Sequence, residues 1–355
     1  MSSNPKPAPI TDTHIRNTRP LLSPWVLSDE LPVSDAVTQQ VTNSRQTIKQ
    51  IIQDDDKRLL VIVGPCSIHD PDAAIEYAQR LKSLADELSR ELFIVLRVYF
   101  EKPRTVVGWK GLINDPELDG SFNINRGLRL ARQLLIDVSE LGLPAASEFL
   151  DTTLGQYYAE LISWGAIGAR TVESQIHREL ASGLSMPVGF KNRTDGDVKV
   201  AVDAISAASN SHWFPSLTHE GAPAILETTG NQYTHLVLRG GDRCGPNHDA
   251  ESIQQAIRKL TDSGLNPRLM VDCSHANSHK DPARQVEIAR TIVKNITTGD
   301  RQVFGLMLES HLKAGRQDLN PNTPLVRGQS ITDACLSFED TEALLRELAD
   351  NLRKH

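Results

Sequence analysis

Eight short apolar segments of the sequence are each followed by a titratable or metal-binding residue. The segments contain many β-branched residues and have the length of buried strands. The residues that follow them are, in chain order, Cys66, Arg97, Glu148, Arg170, Lys191, Arg239, His275 and Glu309. Any one of them could be an ordinary ion-pair partner at a strand end. Eight in succession, drawn from so few residue types, indicate a functional site.

One group of these residues could bind a metal ion. Its members are Cys66, His275, Glu309 and, further along the chain, Asp333. A thiolate, an imidazole and carboxylates suit one divalent ion such as Mn²⁺, Fe²⁺, Co²⁺ or Zn²⁺, whereas Mg²⁺ and Ca²⁺ sites rarely use cysteine. The spacing is not that of a local metal motif, and a buried cysteine is more often structural. The competing imidazoles are His69, His279 and His311. We prefer His275 because it follows a strand directly.

A second group is cationic. It consists of Arg97, Lys102, Arg104, Arg170, Lys191 and Arg239. Arginine suits bidentate binding of carboxylate or phosphate, and Gly168, Gly240 and Gly241 let the backbone approach a phosphate closely. The whole chain has 38 Lys+Arg against 45 Asp+Glu, and its net charge of -7 argues against broad binding to nucleic acid or an anionic membrane. Unless these cations are ordinary surface residues, they form a local site for small anions.

Two residues have alternative roles. Glu148, an acid among cations, could orient a cation, hold a water molecule or transfer a proton. Lys191 could form a Schiff base with a carbonyl substrate. Metal ions and Schiff-base lysines are usually alternative means of activating a carbonyl, so chelator sensitivity and borohydride trapping would distinguish them.

The elements that position these residues form a repeating pattern. The predicted strands are Leu59–Val63, Phe93–Val98, Leu143–Ser147, Ile167–Thr171, Pro187–Phe190, Thr234–Leu238, Leu269–Val271 and Val303–Leu308. The predicted helices between them are Ala73–Leu88, Asn125–Leu141, Thr153–Ser163, Gly196–Ala208, Ala250–Ser263 and Pro282–Asn295. Roughly eight βα units predict a (β/α)8 barrel, in which active sites lie at the carboxyl ends of the strands. A doubly wound open sheet is the alternative.

Three segments lie outside this repeat. Residues 1 to about 20 carry four prolines and predict an arm, and Ser34–Ile52 has the apolar spacing of a helix. His212–Thr229 predicts a β-hairpin inserted before the sixth strand, and Glu101–Phe122 predicts a long functional loop. We therefore expect an N-terminal extension over residues 1–55 and a catalytic barrel over residues 56–355, with the hairpin near residues 210–230.

Composition sets the remaining limits. The 355 residues are 39% hydrophobic and 23% charged, which excludes a disordered or fibrous protein. The four cysteines, Cys66, Cys244, Cys273 and Cys335, form no CxxC pair, so a reducing cytoplasm fits best. The sequence contains neither a signal-peptide pattern nor an apolar run long enough to cross a membrane.

Seven segments of the sequence also resemble the motifs of a known family. They are 64–70 (GPCSIHD), 97–105 (RVYFEKPRT), 168–171 (GART), 189–192 (GFKN), 238–241 (LRGG), 272–277 (DCSHAN) and 309–311 (ESH). Together, over about residues 11–352, they resemble the short, type I class of 3-deoxy-D-arabino-heptulosonate-7-phosphate (DAHP) synthases. The resemblance implies a metal-dependent condensation of phosphoenolpyruvate (PEP) with erythrose 4-phosphate and water, which gives DAHP and phosphate and opens the shikimate pathway.

The resemblance also implies roles for individual residues. The implied metal ligands are Cys66, His275, Glu309 and Asp333. The implied PEP contacts are Arg97, Lys102, Glu148, Ala169, Arg170, Lys191 and Arg239, and the implied contacts of erythrose 4-phosphate are Lys102, Pro103, Arg104 and Thr105. The metal would polarise the aldehyde, C3 of PEP would attack it, and water would add at C2 before phosphate leaves. Lys102 is the implied proton donor, and Cys66, His275 and Glu148 complete the catalytic set.

Regulation and assembly are further implications of the resemblance. Feedback inhibition by an aromatic amino acid would use the N-terminal arm and the inserted hairpin, and Ser216 resembles the Phe- or Trp-responsive members more than the Tyr-responsive ones. A homodimer or homotetramer is also implied. Arg193 and the segment 242–247 depart from the family pattern without touching an implied catalytic residue. The alternatives are a synthase that uses arabinose 5-phosphate and a catalytically idle barrel that senses amino acids.

Overall fold

The computed structural model describes residues 10–320 and 323–354, so the first nine residues of the predicted arm lie outside the described residues. Eight parallel strands form a closed barrel in the order β1-β10-β9-β8-β5-β4-β3-β2. Their bounds are β1 Leu59–Gly64, β2 Leu92–Arg97, β3 Ala145–Glu148, β4 Trp164–Ile167, β5 Val188–Lys191, β8 Thr234–Leu238, β9 Leu269–Asp272 and β10 Val303–Glu309. The sheet closes because β1 pairs with both β2 and β10. The predicted barrel is thus confirmed, and the open-sheet alternative is wrong.

Helices surround the barrel and precede it. They are α1 Pro24–Glu30, α2 Asp35–Ile52, α3 Pro71–Glu87, α4 Ile124–Glu140, α5 Gln175–Gly183, α6 Lys199–Ala208, α7 Ala250–Asp262, α8 Arg284–Thr297 and α9 Phe338–Arg353. Side-chain caps set several starts: Asp70, Asp249 and Ser337 each accept a hydrogen bond from a backbone N–H of the first turn of α3, α7 and α9. Among the described residues, no helix combines the length and apolarity that a membrane span requires.

Two predicted elements differ from the structure. The strand predicted at Ile167–Thr171 lies three residues earlier, because the backbone turns after Ile167 and the N–H of Thr171 bonds back to the carbonyl of Gly168. The helix predicted at Thr153–Ser163 is wrong. Only two short 3-10 turns form there, 154–157 and 159–161, in a segment that contains Gly155, a poor helix former.

Helix α2 closes the amino end of the barrel. Its residues Ile48, Ile51 and Ile52 are buried in one cluster with interior residues of the strands, including Leu60 and Phe304. Arg268, at the start of β9, donates a hydrogen bond of 3.1 Å to the Ile52 carbonyl at the end of the helix. The predicted helix Ser34–Ile52 is therefore confirmed within one residue, and its apolar face belongs to the barrel core.

The inserted hairpin is also confirmed. Strands β6 Trp213–Leu217 and β7 Pro223–Glu227 pair antiparallel before β8, the sixth strand of the barrel. Trp213 and Ile225 are largely exposed on it. The backbone N–H of Trp25 in α1 donates a 2.7 Å hydrogen bond to the carbonyl of His219 in the hairpin turn, so the hairpin contacts the N-terminal extension.

Candidate active site

Alternation along the strands creates one layer of side chains inside the carboxyl end of the barrel. Val95, Ala146, Val237, Met270 and Met307 lie in the interior cluster. Successive side chains of a strand point to opposite faces, so the residues two positions further on also face the interior. These residues are Arg97, Glu148, Arg239, Asp272 and Glu309, and the pairing of Lys191 with Val237 adds Lys191 to the same face. Nearly all of this layer is ionisable, in the region where barrel enzymes place their sites.

Three predicted metal ligands come together at this end. Single ligand atoms of Cys66, Glu309 and Asp333 all lie within 4.8 Å of one another. The fourth, His275, lies outside that group, but its Nε2 is 3.8 Å from Glu309 Oε1. Cys66 and Glu309 are buried, and Asp333 and His275 are half-buried. A sulfur donor and two carboxylates with an adjacent imidazole fit a divalent transition-metal ion.

Arg97 compensates the charge of this group. Its Nη2 lies 2.9 Å from Glu309 Oε1, and the two side chains are 0% and 2% exposed. The guanidinium also donates hydrogen bonds to the carbonyls of Pro65 and Cys66, which holds the loop after β1 against β2. Burial, and secondarily the charge of Glu309, raises the pKa of the Cys66 thiol in the metal-free protein.

Lys102 reaches the same cluster from the loop after β2. Its Nζ is 3.2 Å from both the sulfur and the carbonyl oxygen of Cys66. Burial alone would lower the pKa of Lys102, but the anionic groups around it, with Cys66 first and the carboxylates of Glu309 and Glu148 after it, raise that pKa. Lys102 is therefore a protonated donor beside the candidate metal ligands.

The other predicted cations lie around the same opening. Lys191 is buried at the end of β5, and Arg239 is buried directly after β8. Arg170, after β4, is exposed and close enough to Arg239 for its charge to act on that residue. Burial first, and then Arg170, lowers the pKa of Arg239, although Asp272 and Asp242 oppose the shift. A concentration of positive charge of this kind favours an anionic ligand.

Glu148 and its neighbours are tightly packed. A Cβ atom added at Gly168 would lie 2.2 Å from Glu148 Oε1, so glycine at position 168 leaves room for the carboxylate. Ala169 follows and is half-buried. Pro103 is also half-buried, whereas Arg104 and Thr105 lie exposed in the loop after β2.

The competing imidazoles lie outside the metal-binding group. His69 and His311 are buried side by side, with ring centroids 6.2 Å apart, and His279 is exposed. Arg193, which differs from the family pattern, makes ion pairs of 2.6 Å with Glu173 and with Asp195. Arg193 thus joins the loops after β4 and β5 without reaching the candidate ligands.

Sequence reasoning missed the residues that hold the site in shape. Asp272 contacts both Lys191 and His275. Three buried asparagines brace the turn after β8: Asn192 accepts a hydrogen bond from the N–H of Arg239, Asn247 accepts one from the N–H of Gly240, and Asn277 accepts one from the N–H of Asn247. The alternation of strand residues could have identified Asp272. No sequence pattern indicates the asparagine contacts, because their partners come from separate loops.

A separate cavity of about 710 Å³ lies beside the hairpin. Its lining includes Arg45, Lys49, Gln156, Leu180, Ser216 and Leu226, which come from α2, the 3-10 turns, α5 and both hairpin strands. Apolar and charged groups thus both line this cavity. That combination suits a small molecule with an apolar body and charged ends.

The fold and the site together define a (β/α)8 barrel enzyme with buried cations and a candidate metal centre at the carboxyl ends of its strands. Residues 34–346 match the DAHP synthetase I family. The chain belongs to this family.

Individual relatives agree over nearly the whole chain. The Phe-sensitive phospho-2-dehydro-3-deoxyheptonate aldolase of Escherichia coli K12 is 53% identical over 96% of this chain and 97% of its own. The Trp-sensitive enzyme of the same name from Shigella flexneri is 54% identical over 93% of this chain and 94% of its own. The structure of the Francisella tularensis SCHU S4 aldolase of that name superposes with a TM-score of 0.93 at 51% identity, over 96% of this chain and 98% of its own.

Proposed function

We propose that this protein condenses PEP with D-erythrose 4-phosphate and water to give DAHP and phosphate. The observation that carries the proposal is the 3.2 Å contact of Lys102 Nζ with Cys66 Sγ, because a lysine beside a candidate metal centre and among buried cations could serve as a proton donor. Two phosphorylated substrates need such a local positive site in a chain with a net charge of -7. Membership of the DAHP synthetase I family supports this reaction.

Cys66, His275, Glu309 and Asp333 would hold one divalent ion, with Mn²⁺, Fe²⁺, Co²⁺ and Zn²⁺ as candidates. When bound, such an ion supplies Lewis acidity toward the aldehyde oxygen of erythrose 4-phosphate. Lys102 would donate a proton to the alkoxide that forms when C3 of PEP attacks the aldehyde carbon.

The cations have a separate task in this proposal. Lys191, Arg239 and Arg170 would bind the carboxylate and phosphate of PEP, and Arg97 would add positive charge behind them. These charges also favour departure of phosphate after water has added at C2. The loop residues Pro103, Arg104 and Thr105 would bind erythrose 4-phosphate, and Glu148 and the backbone at Ala169 would position PEP.

Phosphate release tests the reaction. We expect release from PEP with erythrose 4-phosphate, loss of release after chelation, and its recovery when Mn²⁺ is added. Lys102→Ala should lower kcat, whereas the exposed Lys313→Ala is a matched control that should not. No metal-dependent turnover with erythrose 4-phosphate would refute the proposal. Turnover only with arabinose 5-phosphate would assign the chain to the other synthase. Borohydride inactivation in the presence of substrate would favour a Schiff base at Lys191.

We also propose that the cavity beside the hairpin binds an aromatic amino acid that inhibits the enzyme. Leu180 and Leu226 could pack against a ring, and Arg45 or Lys49 could pair with a carboxylate. The two relatives described above are named Phe-sensitive and Trp-sensitive. With Ser216 in the lining, we expect phenylalanine or tryptophan to inhibit more strongly than tyrosine.

Deletion of residues 1–20 tests the regulatory part. We expect the shortened enzyme to keep its turnover and to lose the inhibition, because the arm would complete the inhibitor site. Inhibition that persists for every aromatic amino acid would contradict the proposal.

The same preparations test assembly by light scattering. The exposed apolar side chains of Trp25, Trp213 and Ile225 support a homodimer or homotetramer, which a monomeric mass would contradict.

We place the enzyme in the cytoplasm. Its four cysteines are all unpaired, which suits a reducing compartment.

A further inference from the structure

Asp272, the last residue of β9, is a buried carboxylate that contacts both functional groups of the site. It is fully buried and its two oxygens have four polar neighbours. Oδ1 accepts hydrogen bonds from the backbone N–H of Ser274, at 3.0 Å, and from the Ser274 hydroxyl, at 2.6 Å. Oδ2 lies 2.8 Å from Lys191 Nζ and 2.9 Å from His275 Nδ1. A carboxylate has about four such positions to offer, so Asp272 is saturated.

The contact with His275 determines which ring nitrogen is available to a metal ion. A carboxylate only accepts hydrogen bonds, so the Ser274 hydroxyl donates to Asp272, and the ring then presents a hydrogen on Nδ1 to Asp272 and to the Ser274 oxygen 2.7 Å away. Nε2 then carries the free lone pair, and it is the nitrogen that lies 3.8 Å from Glu309 Oε1. His275 also has a φ of +55°, a left-handed conformation that is unfavourable for a residue with a Cβ atom. The bonds from Asp272 to Ser274 and His275 hold this strained turn in place.

The contact with Lys191 links Asp272 to a cation on β5, two strands away in the barrel. Lys191 ends β5 and is 4% exposed, so its ammonium group needs a buried acceptor. Strand β8 separates β5 from β9 in the barrel, and Asp272 therefore reaches across one strand to hold Lys191. Asp272 Oδ2 thus contacts both His275, on the candidate metal side of the site, and Lys191, on its anion-binding side.

We propose that Asp272 is a positioning residue that orients His275 for metal binding and Lys191 for PEP binding. This deepens the proposed function and rests on it for the identity of PEP. One carboxylate oxygen of Asp272 thus links the two halves of the proposed site.

Asp272→Asn tests the proposal at constant size. The amide keeps one acceptor but presents two donors, so it cannot hold Lys191, His275 and Ser274 as the carboxylate does. Groups that orient metal-ligating histidines typically account for about 10–100-fold in metal affinity, and we expect a loss of that order. We expect the dissociation constant of PEP to rise about tenfold, as the charge-assisted bond that holds Lys191 is weakened.

Both quantities can be measured without turnover on the full-length protein. Co²⁺ alone is titrated into chelator-treated wild type and Asp272→Asn, and its thiolate and d–d absorption bands report binding at Cys66. PEP is titrated calorimetrically into the metal-free proteins, so a change in PEP affinity is not a consequence of metal loss. His235→Gln is the matched control, because His235 is a buried polar residue inside the barrel that contacts Trp164 rather than this site. It should lower the melting temperature and leave both affinities unchanged.

Equal Co²⁺ affinity, or equal or tighter PEP binding, in Asp272→Asn and wild type would overturn the proposal. A loss of the same size in His235→Gln would overturn it as well, because the effect would then be one of general stability. If the amide variant does not fold, Ser274→Ala, which removes a hydroxyl that contacts both Asp272 Oδ1 and His275 Nδ1, should show a smaller loss of Co²⁺ affinity, and no loss would overturn the proposal. Failure of the proposed function appears differently, as absence of PEP binding or turnover in the wild type itself.

Discussion

Replacement of Arg97 by methionine should destabilise the metal-free protein far more than the loss of an ordinary ion pair. Methionine keeps much of the apolar length of the side chain and removes the guanidinium. Arg97 has no exposed surface, and its Nη2 lies 2.9 Å from Glu309 Oε1. The variant would leave the carboxylate of Glu309 buried without its ion-pair partner.

The size of the effect follows from these contacts. Breaking a buried ion pair by removing one partner costs about 3–5 kcal/mol. The carbonyls of Pro65 and Cys66 also lose hydrogen bonds of 3.1 and 3.2 Å, and each such loss costs about 1 kcal/mol. We therefore expect the free energy of unfolding to fall by about 5–7 kcal/mol.

A second arginine provides a matched control. Arg290 pairs with Glu347 through contacts of 2.7 and 2.8 Å, but the two side chains are 50% and 40% exposed. Because water screens this pair, Arg290→Met should cost less than about 1 kcal/mol.

Urea unfolding of the chelator-treated proteins, followed by tryptophan fluorescence, measures both changes. With a slope near 3 kcal/mol per molar urea, the midpoint of Arg97→Met should fall by about 2 M and that of Arg290→Met by less than about 0.3 M. Arg97→Lys, which keeps a charge, should fall between them. Equal midpoints for the two methionine variants would refute the reasoning that burial makes the Arg97 pair costly to break.

Three further predictions concern acid stability, steric fit and oxidation. Burial lowers the pKa of His235 from 6.5 to about 4, so the neutral ring contributes stability that is fully present above pH 6.5 and is lost as pH falls from 6.5 to 4. Wild type should therefore lose about 3 kcal/mol more than His235→Gln between pH 7 and pH 4 in urea unfolding, and parallel losses would count against this account. Gly168→Ala should displace Glu148 and lower kcat/KM about 100-fold with little change in melting temperature, and unchanged kinetics would show that the carboxylate has room to move. Cys66 and Cys335 are both buried, and Cys66 lies close enough to Cys335 to influence the pKa of its thiol, which is raised chiefly by burial, so mild oxidation of metal-free enzyme should remove two titratable thiols, whereas four remaining thiols would exclude this pairing.

The barrel could be predicted from the sequence because each βα unit carries its own local pattern. Thr234–Leu238 has the predicted bounds, and most other strands differ by one or two residues. The exception, β4, begins at Trp164 and ends where the prediction begins. The sequence of β4, WGAI, contains only one β-branched residue and therefore has a weak strand pattern. The prediction consequently placed the strand in the turn that follows β4.

The site could be predicted only in part. Arg97, Glu148, Lys191, Arg239 and Glu309 end or directly follow their strands and face the interior, so the count of strand ends identified them. Asp272 was missed because the predicted strand stopped at Val271, one residue short of the layer that alternation defines. The asparagine braces could not be predicted, since Asn192 lies 47 residues from Arg239 and only the pairing of β5 with β8 brings the two together.

The closure of the barrel by α2 limits how the N-terminal extension could have been acquired or could be exchanged. Ile48, Ile51 and Ile52 occupy the barrel interior, while Arg45 and Lys49 of the same helix line the cavity beside the hairpin. Helix α2 thus closes the amino end of the catalytic barrel and also lines the cavity that we propose binds the inhibitor. The extension is therefore not a detachable module. A chimera that exchanges inhibitor response between relatives should exchange the segment before Asp35 together with the hairpin. Each barrel then keeps its own helix α2.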